Sequence, residues 1–277
     1  MTVDAHHHVW DLSVRDQDWI PRLSPLRRNF TVFDLAPEAQ PAGVDRTVLV
    51  QTVTVPEETP EFLELARAHD LIAGVVGWTD LTRPDITDEL ARLRELPGGA
   101  FLKGIRHQVQ GEPDPEWLLR PDVLRGLTAV ADAGLVYDLV VLPHQLPACA
   151  RAAAALPQLI FVLDHLGKPP IASGALKPWA TDLHALAAHP NVFAKLSGLV
   201  TEADPASWTV DDLRPYADTA LESFGPDRLM FGSDWPVCTP TATYGEVLDA
   251  AGQLTAGLGE SERTKVFEGT ATRVYAL

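Results

Sequence analysis

The stretch Val3–Trp10 reads VDAHHHVW, an apolar run that turns polar towards its carboxyl end. It is one of eight runs rich in Val, Ile and Leu, and their starts lie 24 to 43 residues apart. The other runs are Arg46–Val53, Leu71–Trp78, Phe101–Arg106, Leu135–Leu142, Leu159–His165, Val192–Leu196 and Leu229–Ser233. Continuous apolarity is typical of strands that are buried on both faces of a sheet. The spacing leaves room for one helix after each strand.

Segments with helical periodicity lie between these runs. In Ile86–Leu96 the apolar residues fall on one face and the charged residues lie elsewhere. The other predicted helices are Glu57–His69, Asp122–Ala133, Leu146–Ala155, Trp179–Ala188, Asp211–Phe224 and Tyr244–Leu254. Alternating strands and helices predict an α/β fold over residues 1–277, a single-domain (β/α)8 barrel of the TIM type. A doubly wound open sheet is the competing architecture, although no glycine-rich dinucleotide fingerprint follows any run.

The composition disfavours several classes of protein. The 277 residues are 46% hydrophobic and 22% charged, as in average globular domains. The net charge of −16 argues against nucleic acid and anionic membranes as partners. The opening MTVDAHHHVWDL lacks the basic and apolar regions of a signal peptide, and no long uninterrupted apolar stretch predicts a transmembrane helix. With only two cysteines, a disulfide framework is not expected. We expect a cytoplasmic location.

Polar side chains follow many of the predicted strands. In a (β/α)8 barrel the active site lies at the carboxyl ends of the strands. Side chains with acid–base, donor or metal-binding chemistry follow strands 1, 4, 5, 6 and 8: His6, His8, Arg106, His107, His144, His165 and Asp234. Since alternate residues of a strand point the same way, His6 and His8 share one side and His7 points to the other. Two imidazoles placed in this way predict a shared metal ion.

Simpler explanations exist for single members of this set. His144 alone could be an ordinary core residue, the three adjacent histidines could be the remnant of a tag, and Asp234 could cap a helix. All these residues nevertheless fall on one rim under one strand assignment, which favours a functional site. Residues 12–33 follow strand 1 without clear periodicity, so we expect a long loop at the same rim.

The whole set resembles a known family. His-x-His on strand 1, a basic residue on strand 4, histidines on strands 5 and 6 and an aspartate on strand 8 are similar to the amidohydrolase superfamily. DAHHHVWD, GIRH, FVLDHLGKPPI, KLSGL and LMFGSDWPV resemble its amidohydrolase-2 branch, which includes L-fuconolactonases, L-rhamnonolactonases and 2-pyrone-4,6-dicarboxylate lactonases. The resemblance runs from Val3 to the carboxyl terminus. It implies a (β/α)8 barrel that acts on an ester, amide or related bond.

The resemblance also implies roles for individual residues. It makes His6 and His8 metal ligands, and Asp234 the carboxylate that shuttles protons near the metal. His144 and His165 match histidines that complete the metal site or hold the substrate carbonyl and the attacking water. The expected metal ligands are His6, His8, His165 and Asp234, and the expected catalytic residues are Arg106, His144, His165 and Asp234.

Strand 4 departs from the binuclear members of the superfamily, in which it carries a bridging carboxylated lysine. Here the residues at the strand end are Arg106 and His107, and Lys103 lies further back. We therefore expect one divalent ion at most, and zinc because the donor set is rich in imidazole. Some lactonases of this branch work without metal, so the resemblance leaves even this ion dispensable. Arg106 offers a fixed fork of donors for a carboxylate, a hydroxyl pair or an oxyanion.

Further residues near the strand ends are expected to shape the substrate site. They are Trp10, Gln51, Trp78, His107, Lys195 and Trp235. Tryptophan faces can stack on sugar rings, but ordinary packing is an equal expectation for each of them. Lys168 could reach a substrate anion, although a solvated loop charge is the preferred interpretation.

Three hypotheses for the function follow. The leading one is a hydrolase that opens a small-molecule sugar-acid lactone of the L-fucono or L-rhamnono type, with water activated by Asp234. The second is a metal-dependent decarboxylase of an aromatic or enoic acid, a reaction that the same branch also contains. A decarboxylase needs a carboxylate clamp and an apolar slot, whereas a sugar lactone needs many hydroxyl partners. The third is a non-catalytic barrel, which the intact set of rim residues disfavours.

Overall fold

Eight parallel strands form one sheet in the order of the chain, β1 to β8. The structure, a computed structural model, describes residues 2–277. The strands are β1 (Thr2–His7), β2 (Val44–Val50), β3 (Ile72–Gly77), β4 (Leu102–His107), β5 (Val136–Leu139), β6 (Phe161–Leu163), β7 (Val192–Leu196) and β8 (Leu229–Phe231). A parallel bridge between His7 and Trp235 closes the sheet by joining the segment after β8 to β1. The predicted (β/α)8 barrel is confirmed, and the doubly wound open sheet is not the architecture.

Helices connect the strands on the outside of the barrel. They are α1 (Val32–Ala39), α2 (Glu58–Ala68), α3 (Ile86–Glu95), α4 (Pro121–Asp132), α5 (Leu146–Ala155), α6 (Trp179–Ala187), α7 (Leu199–Glu202), α8 (Val210–Phe224), α9 (Tyr244–Leu254), α10 (Glu260–Thr264) and α11 (Thr270–Tyr275). Every helix predicted from periodicity is present. Periodicity misses four short helices: α1, which has 8 residues and contains Pro37, and α7, α10 and α11, which have 4, 5 and 6 residues. No helix within residues 2–277 is long and apolar enough to cross a membrane.

A bulge in β1 decides which histidines face the barrel interior. The interior is apolar towards the amino ends of the strands, and its side chains include Val3, Ala5, Val48, Val50, Val76, Val136, Val162 and Met230. Strict alternation from Ala5 would point His7 inward. The pairing of β1 with β2 instead shifts before His7, so His6 and His8 point inward. His7 points outward, and its Nε2 lies 2.9 Å from the Thr47 hydroxyl.

The barrel closes where β1 meets the residues that follow β8. This junction, residues 4–8 with residues 232–235, is called the seam below. The His8 N–H donates to the Trp235 carbonyl at 2.7 Å, and the Asp234 N–H donates to the His6 carbonyl at 2.8 Å. Gly232 allows this approach, because a Cβ there would lie 2.8 Å from the Cβ of His6. The seam therefore sets the inward-facing histidines beside Asp234.

The buried carboxylate of Asp4 ties the seam together from the outer side. It accepts hydrogen bonds from the Ser233 N–H at 2.8 Å, the Ser233 hydroxyl at 2.6 Å and the Tyr244 hydroxyl at 3.1 Å. Burial raises the pKa of Asp4 to about 6, against the lowering effect of these hydrogen bonds. One side chain of β1 thus holds both the segment after β8 and helix α9.

We expect Asp4→Ala to lower the free energy of unfolding by about 2–4 kcal/mol, because it leaves buried donors of Ser233 and Tyr244 without an acceptor. Denaturant titration of the purified variant measures this loss. The matched control is Asp45→Ala, which removes an exposed carboxylate bonded to the Thr2 N–H at 3.3 Å. Equal stabilities of the two variants would contradict the role assigned to Asp4.

Candidate active site at the carboxyl end of the barrel

The inward-facing histidines of β1 direct their Nε2 atoms at the same space. His8 Nδ1 lies 2.7 Å from the Val50 carbonyl oxygen, which can only accept, so Nδ1 carries the proton and Nε2 a lone pair. His6 Nδ1 lies 3.2 Å from an oxygen of Asp164. Arg106 Nη1, which can only donate, lies 3.4 Å from His6 Nε2. Lys195 Nζ, which also can only donate, lies 3.1 Å from His6 Nδ1, so donors face both nitrogens of His6. The Nε2 atoms of His6 and His8 lie 3.1 Å apart.

Asp234 forms a three-donor group with these imidazoles. Its Oδ1 lies 3.7 Å from His6 Nε2 and 3.6 Å from His8 Nε2. Two imidazole nitrogens this close need a proton or a cation between them. The separations suit a single ion bound at about 2.0–2.2 Å from each donor. His6, His8 and Asp234 therefore have the geometry to hold a divalent ion.

Asp234 has an uncommon backbone conformation, with φ at +56°. It does not cap a helix, since α9 begins at Tyr244 and Thr243 is its cap. Burial raises the pKa of Asp234, but the neighbouring imidazoles of His165 and His8 and the charge of Lys168 outweigh burial, so the pKa lies below its usual value. The carboxylate is thus ionised at neutral pH and able to accept a proton.

His165 stands at the edge of the three-donor group. It follows β6 with φ at +53°, and its Nε2 lies 3.8 Å from Asp234 Oδ1. Its Nδ1 is 2.9 Å from the Ser197 hydroxyl, and Gly198 passes so close that a Cβ there would lie 2.5 Å from this nitrogen. Burial lowers the pKa of His165 to about 4, against the raising effect of Asp234. At neutral pH the imidazole is neutral.

A buried cluster of charges lies behind the imidazoles. It consists of Arg106, Asp138, Asp164 and Lys195, which have at most 4% of their surface exposed. Lys195 Nζ lies 2.5 Å from Asp138 and 2.9 Å from Asp164, and Arg106 Nη1 donates to Asp164 at 2.9 Å. Two positive and two negative charges balance, as buried ions must. The cluster thereby fixes the Asp164 carboxylate that orients His6.

Sequence reasoning misses Asp138. The sequence feature that could have indicated it is a carboxylate inside the apolar run Leu135–Leu142. Its partners, however, come from distant parts of the chain. Tyr275 in α11 donates to it at 2.9 Å. Burial raises the pKa of Asp138 to about 6, against the lowering effect of Lys195. For Asp164 the neighbouring Lys195 and His6 overcome the effect of burial and hold the pKa well below its usual value.

Three of the residues predicted to shape a substrate site lie together at the ends of β2 to β4. Trp78 Nε1 donates to His107 Nδ1 at 3.0 Å. The His107 ring stacks on Trp117 with centroids 4.3 Å apart. Gln51 is buried and accepts a hydrogen bond from Arg106 Nε at 2.9 Å. Trp78, His107 and Trp117 thus form one aromatic group beside β4, and Gln51 contacts Arg106.

The remaining predicted residues are placed differently. Trp10 and Trp235 are buried and meet Phe30 edge-on, with centroids 5.1 and 5.5 Å away. Lys195 is enclosed within the charged cluster and does not line the open rim. His144 is exposed in the turn after β5, and the structure of residues 2–277 gives it no hydrogen bond or ion pair. The contacts of these four side chains with a substrate stay predictions.

A (β/α)8 barrel with a histidine pair and an aspartate at its carboxyl end defines a class of hydrolytic enzymes, and comparison with known proteins places the chain within it. Residues 3–277 match the family described as amidohydrolase. Two proteins named L-fucono-1,5-lactonase, from Burkholderia ambifaria and Burkholderia multivorans, are each 38% identical to this chain. The alignments cover 99% and 100% of this chain, and 95% and 96% of those proteins.

A solved structure agrees with these relatives. An amidohydrolase from Burkholderia multivorans, crystallised with bound zinc, is 38% identical and superposes with a TM-score of 0.93 over 100% of this chain and 99% of that chain. The resemblance found in the sequence is thus confirmed. The chain belongs to the amidohydrolase family.

The bulge in β1 generates a prediction for its three histidines. We expect His6→Ala and His8→Ala to lower turnover by about 10²-fold or more, the scale for losing a positioned catalytic group. His7→Ala should lower turnover much less, because the ring of His7 points away from the three-donor group. Turnover and thermal midpoint are measured for all three variants. Equal losses of turnover in three folded variants would contradict this register of β1.

Proposed function

We propose that the chain hydrolyses a sugar-acid lactone, and that the lactone is of the L-fucono or L-rhamnono type. The observation that carries this proposal is the convergence of two imidazole Nε2 atoms and an ionised carboxylate on one space. Such a group can activate water beside a carbonyl carbon. The full-length relatives named L-fucono-1,5-lactonase support a lactone as the substrate.

One divalent ion, and zinc in particular, is the cofactor proposed for His6, His8 and Asp234. Two neutral imidazoles and a carboxylate form a donor set that zinc accepts, and three protein ligands leave a position open, as in catalytic zinc sites. A bound ion lowers the pKa of water and polarises a carbonyl. The zinc in the related solved structure supports this choice. His165 is further from the group, and we assign its Nε2 to the substrate.

A second ion is not part of the proposal. His6, Asp164 and His165 also bring donor atoms together. Asp164, however, already accepts from Arg106 and lies 2.9 Å from Lys195 Nζ. These two cations neutralise the carboxylate charge that a second ion would need.

The residues of the chain divide the work of hydrolysis. Asp234 takes a proton from water as the water oxygen adds to the lactone carbonyl carbon. When the bond between this carbon and the ring oxygen breaks, the carboxyl group returns the proton to the departing oxygen, and a hydroxy acid is released. Arg106 donates three of its five N–H groups to Gln51 and Asp164. We assign a remaining N–H group to the developing oxyanion, and His165 Nε2 to the substrate.

A panel of aldonolactones tests the proposal directly. Acid release is followed at low buffer concentration, and the metal content is measured on the same sample. Hydrolysis of L-fucono- or L-rhamnono-lactone is the expected result. Evolution of carbon dioxide from aromatic acids without lactone hydrolysis would establish the decarboxylase instead. Activity on neither class would favour a non-catalytic barrel.

Asp234→Asn separates the proton-transfer role from a structural one. Asparagine tolerates the left-handed conformation and fills the same volume, so the fold should be retained. It cannot accept a proton, and turnover should fall on the order of 10²–10⁴-fold, the usual contribution of a positioned general base. Turnover and thermal midpoint are compared with Asp227→Asn, whose carboxylate pairs with Lys265 at 2.8 Å. A folded and fully active Asp234→Asn protein would refute the mechanism.

The charge balance of the buried cluster predicts the metal stoichiometry. Elemental analysis should find no more than one equivalent of divalent ion per chain. Chelation should lower turnover, and added zinc should restore it, because the proposed ion would lower the pKa of water and polarise the lactone carbonyl. Two equivalents that are both required for turnover would contradict the single site, and full activity of the chelated protein would remove the ion from the mechanism.

A further inference from the structure

Two charged groups beside His165 have no part in the mechanism above. Lys168 follows β6 with φ at +55°, and its N–H donates to the His165 carbonyl at 2.9 Å. Glu202 is the last residue of α7, the short helix that begins after Gly198. The two elements meet on the His165 side of the site, where Lys168 Nζ lies 3.8 Å from Glu202 Oε1.

The distance between these two groups is too long for a hydrogen bond. Within residues 2–277 neither the ammonium of Lys168 nor the carboxylate of Glu202 forms any hydrogen bond, yet their side chains are only 23% and 29% exposed. Partly buried charged groups with unused hydrogen-bonding capacity are unfavourable unless a ligand or water satisfies them. The pair is thus open to a group that both accepts and donates.

The charges of the pair act on the three-donor group. Lys168 lowers the pKa of Asp234, against the raising effect of burial. Burial raises the pKa of Glu202, and Asp234 raises it as well, against Lys168. The pair therefore lies within electrostatic reach of Asp234, on the His165 side of the site.

We propose that Lys168 and Glu202 form a subsite for the ring hydroxyl groups of the substrate. A hydroxyl oxygen accepts from Lys168 Nζ, and the hydroxyl hydrogen, or that of the neighbouring hydroxyl, is donated to Glu202 Oε1. This inference rests on the proposed lactone hydrolysis and narrows its substrate to hydroxylated lactones. The competing description is a solvated ion pair with no contact to substrate.

The test compares a hydroxylated with an unsubstituted lactone. The ratio of kcat/KM for L-fucono-1,5-lactone to that for δ-valerolactone is measured for the wild type, Lys168→Met and Glu202→Gln. Hydrogen bonds to charged groups contribute about 1.5–3 kcal/mol, so each substitution should lower this ratio by roughly 10- to 100-fold. Lys265→Met is the matched control, since Lys265 pairs with Asp227 at 2.8 Å and should keep the ratio of the wild type.

The outcomes separate the subsite from the proposed function. A wild type that hydrolyses the sugar lactone, with variants that keep its preference for hydroxyl groups, would overturn the subsite and leave lactone hydrolysis in place. Equal losses on both lactones would also overturn it, because they indicate a general effect on catalysis. A wild type that hydrolyses neither lactone would overturn the proposed function, and the subsite with it. The proposal is supported only if the ratio of kcat/KM values falls in both Lys168→Met and Glu202→Gln.

Discussion

The seam between β1 and the segment after β8 is the constraint on which the rest of this structure depends. A (β/α)8 barrel has to close, and here closure uses the carboxylate of Asp4 together with backbone bonds of His8 and Asp234. The bulge in β1 turns His6 and His8 towards the interior at the same place. The contacts that close the barrel therefore also assemble the three-donor group. Loss of the seam contacts would separate the donors as well as the strands.

The buried charges behind the seam are the physical reason for proposing a single ion. Asp164 lies 3.2 Å from His6 Nδ1, and it takes part in the same cluster as Lys195 and Arg106. Removing one charged side chain of such a cluster leaves its partner without a counter-charge, which lowers the free energy of unfolding by about 3–5 kcal/mol in buried pairs. Two fixed cations of the chain thus occupy the surroundings in which a second metal would find its anionic ligands.

The strands and the rim were predictable because each depends on local sequence. Runs of Val, Ile and Leu mark buried parallel strands, and polar residues after them mark the rim. The bulge was not predictable, because alternation from Ala5 alone gives the opposite orientation to His6, and only pairing with β2 reveals the extra residue. The role of Asp138 was not predicted from the sequence for a similar reason. Its partner Tyr275 is 137 residues away in the sequence, and no pattern within one strand indicates such a contact.

Backbone strain at the rim follows from the same geometry. Among residues 2–277, the non-glycine residues with positive φ include Asp234, His165, Leu166 and Lys168, all directly after β8 or β6. Such conformations cost on the order of 1–3 kcal/mol each and persist only where surrounding contacts enforce them. Here the contacts are those of the seam for Asp234 and those of Ser197 and Gly198 for His165. These contacts bring a carboxylate and an imidazole beside the histidine pair, with Asp234 Oδ1 3.8 Å from His165 Nε2. The strained turns are thus a consequence of assembling the site, and the contacts of the assembled site sustain them.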